Sequence, residues 1–394
     1  MRKTWALAAT LLSAFLIARE PRLLGARQAQ PLSTGRGLTE AARLANIYDT
    51  ILQARFAEAR SQLASACPPA PSAACDALRE VAAWWEIQQD PWDTSLDPEL
   101  ERTATQAIAT ASAWTLREPT RGEAWFYLAA SYAPLSQWRV FRGERLAAAR
   151  DGKRIKDALE RALALDPSLQ DAWFGIGLYH YYADVAPSAL KLLRFLLLLP
   201  GGDRREGLAE MNRARAGGQL LRGEADYQMH WIYVWYEEQP ARARDLIRSL
   251  DARYPSNPLF LQRLADIEHV HFSNHEGSAA AWRELHERAL SGRVARAELA
   301  RARAEIGLAA ESIDLGAPAD AIEPLRALIR TRPRSPYGAL ALASITLGDA
   351  YLALGSRSAA ADAYAQGLAN VPSNDPDALR ARARAGLSRA RSRR

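Results

Sequence analysis

The run Glu268-His269-Val270-His271, followed by His275-Glu276, gathers three of the chain's six histidines into one short stretch. Imidazole and carboxylate groups at such spacing are donors that zinc takes, and a zinc-bound water would make the chain a metal-dependent hydrolase. On a continuous helix His271 and His275 lie one turn apart on a shared face, and His269 points elsewhere. The run has no H-E-x-x-H string, and no second pair of cysteine ligands accompanies it. Polar histidines at a helix end are the simpler account, so no metal and no cofactor is expected. The sequence also lacks a G-x-S-x-G elbow, a Walker loop and a G-x-G-x-x-G in strand–helix context. The chain therefore reads as a binding protein rather than an enzyme.

Aromatic rings offer a different chemistry, that of a ligand or partner surface. One group is Trp173, Phe174, Tyr179, Tyr181 and Tyr182. Another is Tyr227, Trp231 and Trp235, at four-residue steps along one helical face. Trp173, Trp231 and Trp235 are read as core. The first group opens the stretch from Asp171 to Gly207, around which the rest of the chain is organised. Trp173, Ile176, Gly177 and His180 recur at helical steps. Pro187 suits the first turn of a second helix, which Pro200-Gly201-Gly202 ends. That helix, 188–199, is apolar on nearly every face except for Lys191 and Arg194. A dozen residues cannot span a bilayer, and two cations three apart give a narrower polar stripe than an interfacial helix carries. Packing inside the protein is the favoured reading. A membrane interface, as in a peripheral lipid-associated protein, and a partner helix are the alternatives.

The elements that would position these groups are helical throughout. From Leu38 to Ala66 one stripe joins Leu44, Ile47, Tyr48, Ile51, Leu52, Phe56, Ala59 and Leu63. A second helix covers 76–89 and a third 98–117, with Asp90-Pro91 and Asp97-Pro98 as turn signals between them. Beyond 119 a repeat of paired helices emerges, with the 34-residue spacing of the tetratricopeptide unit. Its last copy places Leu347, Gly348, Tyr351, Gly355, Ala360, Tyr364 and Pro372 at consensus offsets. The copy before it has Gly316, Ala321, Leu325 and Pro333 in phase. Further up, Ile155, Leu159, Ala162 and Pro167 close one unit, Trp173 opens the next, and Ala243, Ile247, Leu250 and Pro255 mark another second helix. Each pair buries only part of its apolar face, so neighbours must stack to complete a core. The expected fold is all-α, a tetratricopeptide-like helical-hairpin solenoid with inserted helices. In such an array the first helix of each pair lines a concave groove. By this register Phe126, Phe174, Leu178 and Tyr181 face it, with Phe174 and Tyr181 off the core phase as its best contacts.

The run GIGLYHYY…APSALKLLRFLLLLPGGDRREGLAEM, with the later LDARYPSNPLFLQRLADIE, resembles the tetratricopeptide repeat protein 39 / inclusion-body-clearance family over about 120–290. The matching positions are Gly175, Gly177, Leu192 to Leu199, Gly202, Asp203, Arg204, Tyr254, Pro255 and Phe260. The resemblance implies a non-enzymatic adaptor, in some members at a membrane. His180 would join the groove contacts, and Asp203 and Arg204 would organise the turn after the leucine-rich helix. An export signal and a cysteine loop are departures that the eukaryotic members would not need.

Of the 51 basic residues four are lysine and 47 arginine, in an alanine-rich chain of 394 residues with a formal charge of +6. That bias looks like a GC-rich coding sequence more than a surface built for polyanions. Arg2, Lys3 and the apolar run Trp5 to Ala18 read as an export signal, with imperfect small residues for cleavage at 26–29. Residues 1–29 are thus a signal peptide or a signal anchor, and the mature chain is periplasmic or membrane-anchored facing the periplasm. Cys67 and Cys75 close the loop CPPAPSAAC and are read as a disulfide formed in that oxidising space, with two unrelated buried thiols as the alternative. Closing so small a ring is worth ~2.6 kcal/mol in the chain-entropy account. The expected layout is a helical lobe at 30–118, a divergent repeat core at 119–290, regular repeats at 291–378 and an arginine-rich tail at 379–394. That tail holds seven arginines from Arg380 onward. It is read first as a solvated face and second as a capping helix on Leu379, Ala383 and Leu387. The expected partner is a protein or peptide, with possible membrane-surface contact and no nucleic acid.

Overall fold

The computed structural model describes residues 36–185, 201–375 and 378–392. The signal segment 1–29 and the leucine-rich helix 188–199 lie outside the described residues. Every regular element among the described residues is helical, as the abundance of Ala, Leu, Arg and Glu favours. The N-terminal elements are α1 (Ala41–Leu52), α2 (Phe56–Ala66), α3 (Ser72–Gln89) and α4 (Asp97–Arg117). Next come α5 (Gly122–Ala130), α6 (Ala133–Phe141), α7 (Arg145–Leu165) and α8 (Ala172–Val185). The second half holds α9 (Arg204–Gly217), α10 (Arg222–Trp235), α11 (Pro240–Arg253), α12 (Pro258–Phe272), α13 (His275–Leu290) and α14 (Ala297–Asp314). A short 3-10 turn leads to α15 (Ile322–Thr331), and α16 (Ala339–Ala353), α17 (Arg357–Ala369) and α18 (Leu379–Arg391) complete the chain.

Consecutive helices pack on one another through short turns, giving an all-α stack of tetratricopeptide-like hairpins. Small residues set how closely the pairs approach. A Cβ on Gly348 of α16 would stand 2.7 Å from the Tyr364 ring of α17, and one on Gly177 of α8 would stand 2.6 Å from the Gly207 carbonyl oxygen of α9. Gly355 turns the last hairpin at a φ of 75°, a left-handed conformation that costs glycine little.

Two expectations change at the ends of the chain. The stripe from Leu38 to Ala66 is not one helix, because Ala54 takes a left-handed φ of 57° and separates α1 from α2. The break exposes two carbonyls that α12 uses. Ser256 Oγ donates to the Gln53 oxygen (2.7 Å) and Asn257 Nδ2 to the Leu52 oxygen (2.8 Å). At the other end, much of the arginine-rich 379–394 segment is a packed helix. In α18, Leu379, Ala383, Gly386 and Ala390 are buried, and Gly386 sits against the Tyr364 ring. Its arginines project from the far side, so the capping-helix reading describes the structure better than a solvated tail.

The N-terminal helices do not stand apart from the repeats. One hydrophobic core runs from Leu44 and Trp85 through Tyr127 and Phe174 to Tyr227 and Phe260. Trp85 of α3 lies 4.7 Å, ring centre to ring centre, from Tyr227 of α10, and 6.2 Å from Phe260 of α12. Its Nε1 donates to Glu224 Oε2 at 2.9 Å, and the Tyr48 hydroxyl donates to the same oxygen at 3.0 Å. At the end of α3, Asp90 accepts from the Tyr337 backbone N–H at 2.9 Å. Residues Ala41 to Asp90 thus pack against α5, α10 and the start of α12. Cys67 and Cys75 form a disulfide in the loop that turns the chain from α2 into α3.

Candidate functional site

The ring positions expected to line a groove are buried. Phe126 is buried, Phe174 is 5% exposed and Tyr181 is 0% exposed, and all three belong to the core shared with α1 and α3. Leu178 packs partly buried against that core. The ring faces assigned to a partner are therefore core contacts. Phe174 and Tyr181 lie with Ile176 and Gly177 on the buried face of α8, whose main neighbours are α9 and α7, whereas Trp173 is half-buried.

His180, Asp203 and Arg204 sit at the edge of this core. His180 Nδ1 lies 2.8 Å from Glu210 Oε2 in α9, and burial raises the Glu210 carboxyl above its ordinary range. Glu206 joins these two as a third possible donor. Asp203 caps α9, its Oδ1 accepting from the backbone N–H of Arg205 (2.7 Å) and Glu206 (2.9 Å). The two backbone hydrogen bonds hold the Asp203 carboxyl below its ordinary range. Arg204 makes a two-pronged pair with Glu237, at 2.6 and 2.8 Å. The Tyr181 hydroxyl donates to the same Glu237 at 2.5 Å. Burial, reinforced by that carboxylate, raises the phenol well above its ordinary value.

The rings that remain open are others. Trp235, read as core, is 60% exposed, because α10 ends there and carries the last position of its aromatic face beyond the packed layer. Tyr236 and Tyr182 are also exposed and touch, with ring centres 5.6 Å apart. Trp235 meets His271 edge-on at 5.5 Å, and the neighbouring Val270 is exposed as well. Two exposed ring contacts, Tyr182 with Tyr236 and Trp235 with His271, thus lie near the ends of α8, α10 and α12, with Val270 exposed beside the second. Trp173 and Trp231, by contrast, stay half-buried beneath the guanidinium groups of Arg213 and Arg263.

The histidine run also folds differently from its expected pattern. Ser273 takes a left-handed φ of 49° and ends α12, while Asn274 caps α13 by accepting from the Gly277 N–H at 3.0 Å. A helix does not continue through the run, so the His271–His275 pairing is lost. Instead His269, on the last turn of α12, meets His275 at the start of α13, with ring centres 5.1 Å apart. Both face Glu311 and Asp314 at the end of α14. The Asn before His275 was the sequence signal for this break, as a cap residue ahead of a new helix.

No protein-family model matches the chain, and no curated protein matches it. Among solved structures it is similar to a chain of the APC/C hetero-tetramer Cut9–Hcn1, at 14% identity and a TM-score of 0.43 over 85% of this chain. This chain spans 59% of the length of that one. It is also similar to human IFIT1, solved as a dimer with PPP-AAAA, at 13% identity and a TM-score of 0.41, covering 91% of this chain and 87% of that one. The P58(IPK) TPR domain aligns at 14% identity with a TM-score of 0.19, over 80% of this chain and 97% of that one. Among the described residues no helix is long and apolar enough to cross a membrane.

Proposed function

We propose that the chain is a non-enzymatic helical-repeat scaffold of the bacterial cell envelope, exported through residues 1–29, that binds a protein or peptide partner. The binding surface is the exposed set of Tyr182, Trp235, Tyr236 and Val270 rather than the inner groove. The observation that carries this reading is the 60% exposed Trp235 beside His271 in a chain whose expected groove rings are buried. Exposed Trp and Tyr are the side chains that most often anchor partners, since each buries a large rigid area at little entropic cost. The Cys67–Cys75 disulfide supports an oxidising compartment.

A photo-crosslinking residue placed at position 235 in living cells tests the surface, with the exposed but isolated Leu116 as control. A discrete protein adduct from 235 and none from 116 is expected. No adduct, or the same pattern from both positions, overturns the assignment. Intact-mass analysis of the envelope fraction tests the location. It should give a species lacking residues 1–29 and two hydrogens lighter than the reduced mass, and a reduced cytoplasmic species would refute export.

A further inference from the structure

In a chain with 47 arginines, several buried carboxylates are met by one. Asp151 pairs with Arg139 and Arg154, Asp226 with Arg215 and Arg253, and Glu123 with Arg121. Others are met by neutral groups, as Glu224 is by Tyr48 and Trp85, and Glu311 stands out among these for facing two histidines and a second carboxylate. It is 3% exposed, and among the described residues no arginine or lysine pairs with it or with Asp314. Its neighbours are imidazoles. His269 Nδ1 lies 3.0 Å from Glu311 Oε1, His275 Nδ1 lies 3.0 Å from Oε2, and His275 Nδ1 also lies 3.8 Å from Asp314 Oδ2. One ligating atom from each of the four residues falls within a sphere of mutual distances no longer than 4.8 Å.

The His269 contact is the informative one. Its Nδ1 is buried and close to a carboxylate oxygen, yet no hydrogen bond is made there. In a tetrahedral zinc site with bonds of 2.0–2.1 Å, neighbouring ligand atoms stand about 3.3 Å apart. Ser278 Oγ supplies the outer support, donating to Glu311 Oε1 at 2.8 Å. Asn274 fixes the turn between the two histidines, since its side chain both caps α13 and donates to Glu268 Oε2 at 3.0 Å.

We infer that His269, His275, Glu311 and Asp314 form a binding site for a divalent first-row transition metal, zinc being the best match to two imidazoles and two carboxylates. Four protein donors complete a tetrahedral set, which is the arrangement of a structural site rather than a catalytic one. The ion ties the end of α12, the start of α13 and the end of α14 into one clamp.

The test uses the full chain, stripped with EDTA and titrated with Zn2+ at neutral pH. One equivalent should bind with a rise in thermal midpoint, and Co2+ in its place should give the intense visible absorption of tetrahedral coordination. The His269→Ala/His275→Ala double variant should lose at least 100-fold in affinity, and His271→Ala should lose nothing. Both clamp histidines are partly exposed, so the double variant should fold. Should it not, Asp314→Asn, at an exposed helix end, serves as the second variant and should weaken Zn2+ at least tenfold. Failure of the wild-type chain to bind Zn2+ overturns the site, as does binding that survives these substitutions or depends on His271. None of these outcomes bears on the partner-binding surface, because Trp235 is not among the ligands.

Discussion

Asp226 and Glu311 are the same kind of group in the same degree of burial, 2% and 3% exposed, and the chain answers them in opposite ways. Asp226, near the start of α10, is clasped by Arg215 from α9 and Arg253 from α11. Both partners are guanidinium groups, whose charge is permanent. Glu311 is given two imidazoles and a serine hydroxyl, none of which carries a fixed charge. The first arrangement needs nothing from solution. The second offers donors that a metal ion can join, and this difference separates a fixed joint from a conditional one.

The largest effect should come from stripping the fixed joint of its cations. The Arg215→Ala/Arg253→Ala double variant leaves Asp226 buried and uncompensated, which typically costs about 3–5 kcal/mol. Urea unfolding should show that loss. A cost below about 1 kcal/mol would mean that water reaches Asp226, and the distinction from Glu311 would collapse.

A third buried group extends the contrast. His230 of α10 has no carboxylate partner; its Nδ1 bonds to the Tyr227 carbonyl, and its Nε2 is buried without a partner. Burial is the main reason its pKa is pushed down to about 3. Because the folded value lies below the unfolded one near 6.5, the neutral ring contributes fully above pH 6.5 and loses that contribution as pH falls toward 3. Between pH 6.5 and 4.5 the chain should lose about 2–3 kcal/mol from this group alone. His230→Phe should remove that portion of the acid sensitivity, as read from paired urea curves at the two pH values. Identical slopes for variant and parent would place the charge-sensitive histidine elsewhere.

How far these joints could be read from the sequence depended on how local their causes are. The hairpins were legible because Gly348, Gly355 and Tyr364 answer to one another across a single turn, and the cysteine loop because its partners are eight residues apart. The packing of α3 on the repeats was not. Trp85 meets Glu224 across 139 residues, and no periodicity in α3 records which helix its ring will touch. The register took Phe174 and Tyr181 for groove contacts, and both are buried, Tyr181 against Gly207 of α9, Tyr236 and Glu237. The histidine site was half legible. Donor types and spacing drew attention to it, but an assumed continuous helix chose His271 where the turn at Ser273 and Asn274 selects His269. Its carboxylates, more than thirty residues on in α14, carried no signal at all.

The smallest expected effect is also the one that separates the two kinds of joint most directly. Glu311→Gln keeps the shape of the side chain and removes its charge. In EDTA-treated protein the amide oxygen can still accept from Ser278 while its NH2 faces His275 Nδ1 as a donor, so the net loss is that of weakened hydrogen bonds, about 1 kcal/mol. No arginine or lysine is left stranded, because among the described residues none pairs with Glu311. The same substitution should abolish the stabilisation that Zn2+ gives the parent chain, which by linkage grows with the ratio of free metal to its dissociation constant. A small cost without metal and a complete loss of the metal response would mark Glu311 as a ligand. A cost of 3 kcal/mol or more in chelator would instead make it a structural partner of the same class as Asp226, held by protonated histidines. Thermal melts of parent and variant, each with EDTA and with Zn2+, distinguish the two.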